Sequence, residues 1–295
     1  MNDNDWIVER FEEHRGHLRA VAYRMLGSLS EADDAVQEAW LRLSRADTSD
    51  VENLGGWLTT VVARVCLNML RSRTTRREDP LDAHFPDPVI SLEDSVDPED
   101  EVLLADSVGL ALLVVLETLP PAERLAFVMH DIFAMPFDEI APVVGRSATA
   151  TRQLASRARR RVQGAAPPPD RDVARQREVV DAFFAAARGG DFEALVAVLH
   201  PDAVLRADGG ARPGASFVVQ GAEAVAGRAL MFSAPSRVLQ PALVNGAAGV
   251  VVTVNGRPVA VMAFTVVDGK VVAIDALTDS ERLSQLDLPV PGGEV

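Results

Sequence analysis

Apolar residues recur at helical spacing through the first half of this chain and alternate as in strands near its end. The stripe Trp6, Phe11, His14, Leu18, Val21, Ala22 and Met25 predicts a helix over 5–26. Ser30-Glu31-Ala32-Asp33 resembles a capping box. It opens a second helix, over 31–44, that buries Ala32, Val36, Ala39 or Trp40, and Leu43. The other face of that helix shows Asp33, Asp34, Gln37, Glu38 and Arg42, suited to solvent or to a basic partner. Asn53-Leu54-Gly55-Gly56 predicts a loop, and from Trp57 a third helix turns Leu58, Val61, Val62, Val65 and Leu70 inward.

Residues 118–163 predict three more helices with a tight turn before the last. Thr118 supplies a cap, Pro120 and Pro121 a first turn, and Glu123 an acid at the positive helix end. Leu125, Val128, Met129 and Ile132 share one face of the first; Phe137, Ile140, Ala141 and Val144 share the inner face of the second. Gly145 ends that second helix in a left-handed turn. Ser147 caps the third, whose apolar stripe is Thr151, Leu154, Ala155, Ala158 and Val162. Its opposite face carries Arg152, Gln153, Ser156, Arg159 and Arg160. Helix, glycine turn, then a helix with one apolar and one Arg/Gln/Ser face is the helix-turn-helix pattern, and such a face matches phosphates and base edges. An ordinary amphipathic helix with a solvated basic face has the same pattern.

The pattern changes after the linker GAAPPPDR at 164–171. Helices over 173–188 and 191–199 precede His200-Pro201-Asp202, the strand AVLRAD and the turn sequence Asp208-Gly209-Gly210. Near the end, Asn255-Gly256 and Asp268-Gly269 sit between β-branched runs and predict a three-strand meander. An α+β domain able to enclose a pocket follows.

Composition narrows the functions. With 295 residues the chain has room for two or three cores, and 48% hydrophobic with 24% charged residues is ordinary for a globular protein. A net charge of −14 argues against coating DNA by bulk charge. The acids concentrate between Glu78 and Asp106, where no Lys or Arg occurs, and with Pro80, Pro86, Pro88 and Pro98 they mark 78–104 as a linker. Phe85-Pro86-Asp87-Pro88-Val89 is its apolar anchor. Arg71, Arg73, Arg76 and Arg77 make a second basic patch, which also offsets a helix dipole. Cys66 is the single cysteine and reads as a small buried hydrophobe. His14 and His17 lack a third ligand nearby, so no metal is expected. No signal-peptide pattern or membrane-length apolar run appears, which makes the cytoplasm the expected location. No nucleophile elbow, phosphate loop, dinucleotide fingerprint or zinc spacing occurs. His200 and Asp208 are the acid/base candidates of the last domain, yet both lie in turn sequences. No cofactor is expected, and binding or regulation is favoured over catalysis there.

Three blocks together carry a resemblance: AYRMLGSLSEADDAVQEAWLRL, the Trp57–Arg77 helix, and PAERLAFVMHDIF with FDEIAPVVGRS and TRQLASRARRRV. They resemble regions two and four of an extracytoplasmic-function (ECF) sigma factor, over roughly residues 5–163. The tail, 173–290, resembles a SnoaL-like domain, a cone-shaped α+β fold. The resemblance implies two all-α sigma domains, the second a helix-turn-helix, and then the α+β domain. The implied boundaries are 1–77 for region two, 78–104 for the acidic linker, 105–164 for region four, 165–172 for a second linker and 173–295 for the tail.

It also implies partners: core RNA polymerase, through the β′ clamp and the β flap, and promoter DNA. Asp33, Asp34, Gln37, Glu38 and Arg42 match the polymerase-docking surface. Asn53, Trp57, Asn68, Arg71, Arg73, Arg76 and Arg77 fall in the part that opens the −10 element. Ser147, Thr149, Arg152, Gln153, Ser156 and Arg159 fall in the −35 reader. Sigma factors fused to such a tail form a subgroup, and the resemblance to it implies that the tail regulates in cis, through motifs matched by Phe85 and Pro86 and by Asp208, Gly209, Gly210 and Arg212. This chain departs from those motifs at Ala211, at His84-Phe85-Pro86, and at Thr278-Asp279-Ser280-Glu281-Arg282-Leu283. A polymerase-independent helix-turn-helix factor with a small-molecule-sensing tail is the alternative function.

Overall fold

The computed structural model describes residues 3–46, 51, 53–75, 85–91, 109–165, 169–210, 212, 214–286 and 288. Arg76, Arg77, Ala211 and most of the expected acidic linker lie outside them, as does the side chain of Trp6. Two compact units are present.

The first unit is helical. Helix α1 (Asp3–Leu26) packs with α2 (Leu29–Leu43) and α3 (Leu54–Thr75). Phe11, Leu18, Val21, Ala22 and Met25 are buried as their spacing predicts, while His14 is half-buried. The turn between α1 and α2 places Gly27 at φ +69°. Ser30 does not cap α2. Its first free backbone amide, Leu29 N, instead donates to Asp87 Oδ2 at 3.0 Å, and Ser28 Oγ lies 3.1 Å from Ser30 Oγ. Asp87 also donates its backbone N–H to Gly27 O and accepts the Tyr23 hydroxyl on its carbonyl, at 2.7 and 2.5 Å. Phe85 and Pro86 beside it are buried. A carboxylate at a helix N-terminus satisfies orphan amides wherever it comes from, so sequence adjacency misassigns this cap. The expected loop at Asn53–Gly56 is the start of α3: Asn53 Oδ1 accepts Gly56 N at 3.0 Å.

Helix α4 (Leu110–Glu117) leads to α5 (Pro121–Phe127). Pro120, not Thr118, holds the N-cap position of α5, and the Thr118 hydroxyl donates back to Val115 O. A π-turn (Val128–Ile132) follows, then α6 (Phe137–Val144) and α7 (Ala148–Ala165). Gly145 takes φ +73° and its N–H returns to Ala141 O, closing α6. Buried Arg124 is the polar centre of this group. It donates to Glu117 Oε1 and Oε2 at 2.7 and 3.1 Å and to the Met25 carbonyl of α1 at 3.0 Å. Burial holds the Cys66 thiol of α3 well above its ordinary pKa, so it remains an inert part of the core.

The second unit includes residues 88–91 and the chain from 169 onward. It opens with β1 (Ile90–Ser91). After α8 (Val173–Gly189) and α9 (Phe192–Val198) come β2 (Leu199–Asp208), β3 (Phe217–Gln220), α10 (Ala222–Phe232), β4 (Arg237–Val244), β5 (Ala247–Val254), β6 (Arg257–Val267), β7 (Lys270–Leu277) and α11 (Ser280–Gln285). The sheet order is β1-β4-β5-β6-β7-β2-β3, antiparallel except for the β2–β7 pair. Three two-residue hairpins share one geometry: Asn245-Gly246, Asn255-Gly256 and Asp268-Gly269 all have both residues at positive φ, as type I′ turns require. The first of these, and β4 itself, escape the sequence pattern because Pro241 interrupts it. Pro241 lies opposite Val250 of β5, on the stretch of β4 that β1 does not pair, where a missing donor costs no ladder bond. His200-Pro201-Asp202 is not a free turn but an irregular opening of β2, whose register with β7 shifts between Leu199 and Val204.

Candidate functional site

On α2 the inward positions are Ala32, Ala35, Val36, Ala39 and Leu43. That leaves Asp33, Asp34, Gln37 and Arg42 exposed and Glu38 half-exposed on one face. Arg19 Nε donates to Asp33 at 2.8 Å, and Arg42 Nε to Glu38 at 2.9 Å. Asp34 has no ion pair among the described residues, so the face presents net negative charge.

Helix α3 buries Leu58, Val61, Val62, Val65, Cys66, Leu67 and Leu70. Its outer stripe is Trp57, Thr60, Arg64, Asn68 and Arg71, at helical spacing, with Arg64, Asn68 and Arg71 exposed. Asn68 and Arg71 are therefore brought together. Arg64, one turn before Asn68, joins them; its place inside an apolar run hides it from a search for charge clusters. Arg73 is not on this stripe: it donates to the Leu26 carbonyl and pairs with Glu31.

In α7 the stripe Thr151, Ala155, Ala158 and Val162 is buried, with Leu154 half-buried. Its small side chains let α7 pack on α5 and α6. Ser147 Oγ accepts Ala150 N at 3.2 Å, the predicted cap. Thr149, Arg152, Gln153, Ser156 and Arg160 are exposed. The guanidinium of Arg152 sits 5.1 Å from the centre of the Phe137 ring, which stacks on His130 at 3.8 Å. The other arginines of α7 are held. Arg157 and Arg161 donate to the two oxygens of buried Glu123, at 2.8 and 2.9 Å, and Arg159 donates to Asp131 at 2.8 and 2.5 Å. Glu123 is thus less a dipole partner of α5 than a buried clamp for α7.

Residues 10–76 match the Sigma-70 region 2 model and residues 109–162 the Sigma-70, region 4 model. The probable ECF RNA polymerase sigma factor SigI of Mycobacterium tuberculosis is 39% identical over 99% of this chain and 100% of its own length. The chain belongs to the ECF family of RNA polymerase sigma factors. SigJ of Mycobacterium tuberculosis is 41% identical, over 94% of this chain and 93% of that protein. The crystal structure of SigJ aligns with a TM-score of 0.76 at 37% identity, covering 96% of this chain and 100% of that one. As an alternative sigma factor the protein binds RNA polymerase and directs it to promoter DNA; a polymerase-independent role is not favoured.

In the α+β tail of the sigma factor the two separate motifs of the sequence meet. Asp208 Oδ2 accepts Arg282 Nη1 at 2.7 Å, and its carbonyl accepts Thr278 N and Oγ1 at 2.6 and 3.0 Å. Its Oδ1 accepts Gly210 N and Ser216 Oγ at 2.9 and 3.2 Å. Gly210, at φ +75°, lies so close to Asp279 that a Cβ would run into that carboxylate. Arg212 is exposed. Asp208 is therefore a structural knot joining β2 to the start of α11. It is not a partner of His200, which stands eight residues away along one strand and accepts Asp202 N on Nδ1. Among the described residues, no group of three His, Cys, Asp or Glu is placed to hold a metal, and no helix is long and apolar enough to cross a membrane.

Proposed function

We propose that this sigma factor docks on the polymerase β′ clamp through Asp33, Asp34, Gln37, Glu38 and Arg42, while its region-four domain meets the β flap. The −10 element is opened and held by Asn53, Trp57, Asn68, Arg71, Arg73, Arg76 and Arg77, and Arg64 belongs with them. Stacking on an aromatic ring and backbone charge are what single strands bind. The −35 element is read by Ser147, Thr149, Arg152, Gln153 and Ser156, with Arg159 supporting the helix. The functional divisions are residues 1–77, 105–164 and 173–295, with 78–104 and 165–172 as linkers. The tail modulates initiation in cis through Phe85, Pro86 and the Asp208–Arg212 segment, without catalysis, and the factor works in the cytoplasm with polymerase.

The observation that carries this reading is the outer face of α7: a capped helix N-terminus with exposed Arg152, Gln153 and Ser156 beside a glycine turn. Reconstitution with core polymerase on promoters selected from a genomic pool tests it; failure to form open complexes on any of them overturns it. On a selected promoter, Arg152→Ala and Gln153→Ala are each expected to cost ~1–3 kcal/mol of discrimination at the upstream element. Unchanged selectivity would mean a different helix face reads the DNA. Ending the chain at Gly164 is expected to change transcript yield from that promoter in a run-off assay, and equal yields would leave the tail without a regulatory role.

A further inference from the structure

The second unit holds a cavity of about 370 Å³ between its sheet and helices α8 and α10, within the ~300–1,000 Å³ of small-molecule sites. The body is apolar, formed by Phe183, Phe184, Leu205, Val252, Met262 and Ile274 among others. Three arginines, Arg188, Arg228 and Arg237, also line it, and no described lining residue is a carboxylate, imidazole, thiol or phenol. Arg228 is the unusual one. Its guanidinium carbon lies 4.3 Å from the centre of the Phe217 ring and 5.3 Å from that of Phe232. Its Nε is buried without a hydrogen-bond partner. Arg237 approaches Phe232 at 5.5 Å. Neither makes an ion pair with a described residue.

A buried guanidinium N–H without an acceptor is costly unless something supplies one. On the other face of the sheet, Arg206 donates to buried Asp275 at 2.9 Å, so an arginine there has a carboxylate partner. The cavity arginines lack that arrangement, and aromatic rings hold Arg228 in place so that little rotamer freedom remains to be lost on binding. We propose that this cavity is a receptor site for a small lipophilic carboxylate, with its apolar body between α8, α10 and the sheet and its carboxylate on Arg228 and Arg237. No described lining residue is an acid or base placed to drive turnover, so the ligand is bound and released unchanged. This goes beyond the transcriptional reading and is independent of it, because binding is measured with polymerase absent.

Calorimetry on the full-length protein with 2-naphthoate and decanoate, each against its primary alcohol, tests the proposal. One-to-one binding of at least one carboxylate is expected, roughly tenfold or more tighter than its alcohol. Arg228→Gln and Arg237→Gln should each weaken the carboxylate by about tenfold and leave the alcohol little changed. No saturable binding of either carboxylate, equal affinity for acid and alcohol, or unchanged carboxylate affinity in both variants would each overturn it. Should Arg228→Gln fail to fold by circular dichroism, the acid–alcohol difference in the unsubstituted protein and the Arg237→Gln result decide.

Discussion

Glu117→Gln is expected to lower the unfolding free energy of the first unit by about 3–5 kcal/mol, the range for removing one partner of a buried ion pair. The side chains of Arg124 and Glu117 are 3% and 11% exposed. Glu117 receives two of the arginine's donors, and the third contact runs to Met25 O. Without the carboxylate the guanidinium is left charged in the interior, and the joint between α1, α4 and α5 loses its centre. Trp6, Trp40 and Trp57 all precede residue 87, so tryptophan fluorescence in urea reports on this unit alone. The midpoint should fall with the slope unchanged. Glu38→Gln, at a pair about half exposed, should shift stability by less than about 1 kcal/mol. A loss below about 1 kcal/mol for Glu117→Gln would show the pair to be dispensable, whereas recovery in Arg124→Met/Glu117→Met would confirm that the uncompensated charge is the cost.

The largest functional effect is expected from Asp34→Lys combined with Glu38→Lys. Both side chains project from α2 away from its buried stripe, and exposed substitutions of this kind change folding stability by only about 0.5 kcal/mol. Against a basic docking surface, two reversed charges place like against like, which costs several kcal/mol. At about 3 kcal/mol the affinity for core polymerase falls about a hundredfold. Competition for core polymerase at fixed salt measures it, with Glu178→Lys combined with Asp181→Lys, both exposed in the second unit, as a charge-matched control. Affinity equal to that control would rule out docking through this face.

Much of the helical half is legible because its stripes have one period and one buried side. The α2 and α7 faces follow from spacing alone, down to the Ser147 cap and the left-handed Gly145. What the sequence hides is long-range. The cap of α2 comes from Asp87, fifty-eight residues on. Glu123 looks like a first-turn acid and proves to be a clamp for Arg157 and Arg161, thirty-four and thirty-eight residues away. Asp131 divides a basic face that periodicity treats as uniform, withdrawing Arg159 as Glu31 withdraws Arg73. In the tail, turn dipeptides announce β5, β6 and β7. The parallel β2–β7 pairing has no local signature, and it brings Asp208 to Arg282.

The arginine clamps bear on how α7 can use salt. A helix grips DNA electrostatically by displacing condensed cations from phosphates, and only charges lacking a built-in counterion do so fully. Arg157, Arg159 and Arg161 share two built-in counterions, Glu123 and Asp131, which leave one of their three charges uncompensated. In the proposed contact of this helix with the −35 element, counterion release therefore falls chiefly to Arg152 and Arg160. If α7 reads the −35 element as proposed, its contribution to promoter choice rests more on base-edge geometry than on ionic strength.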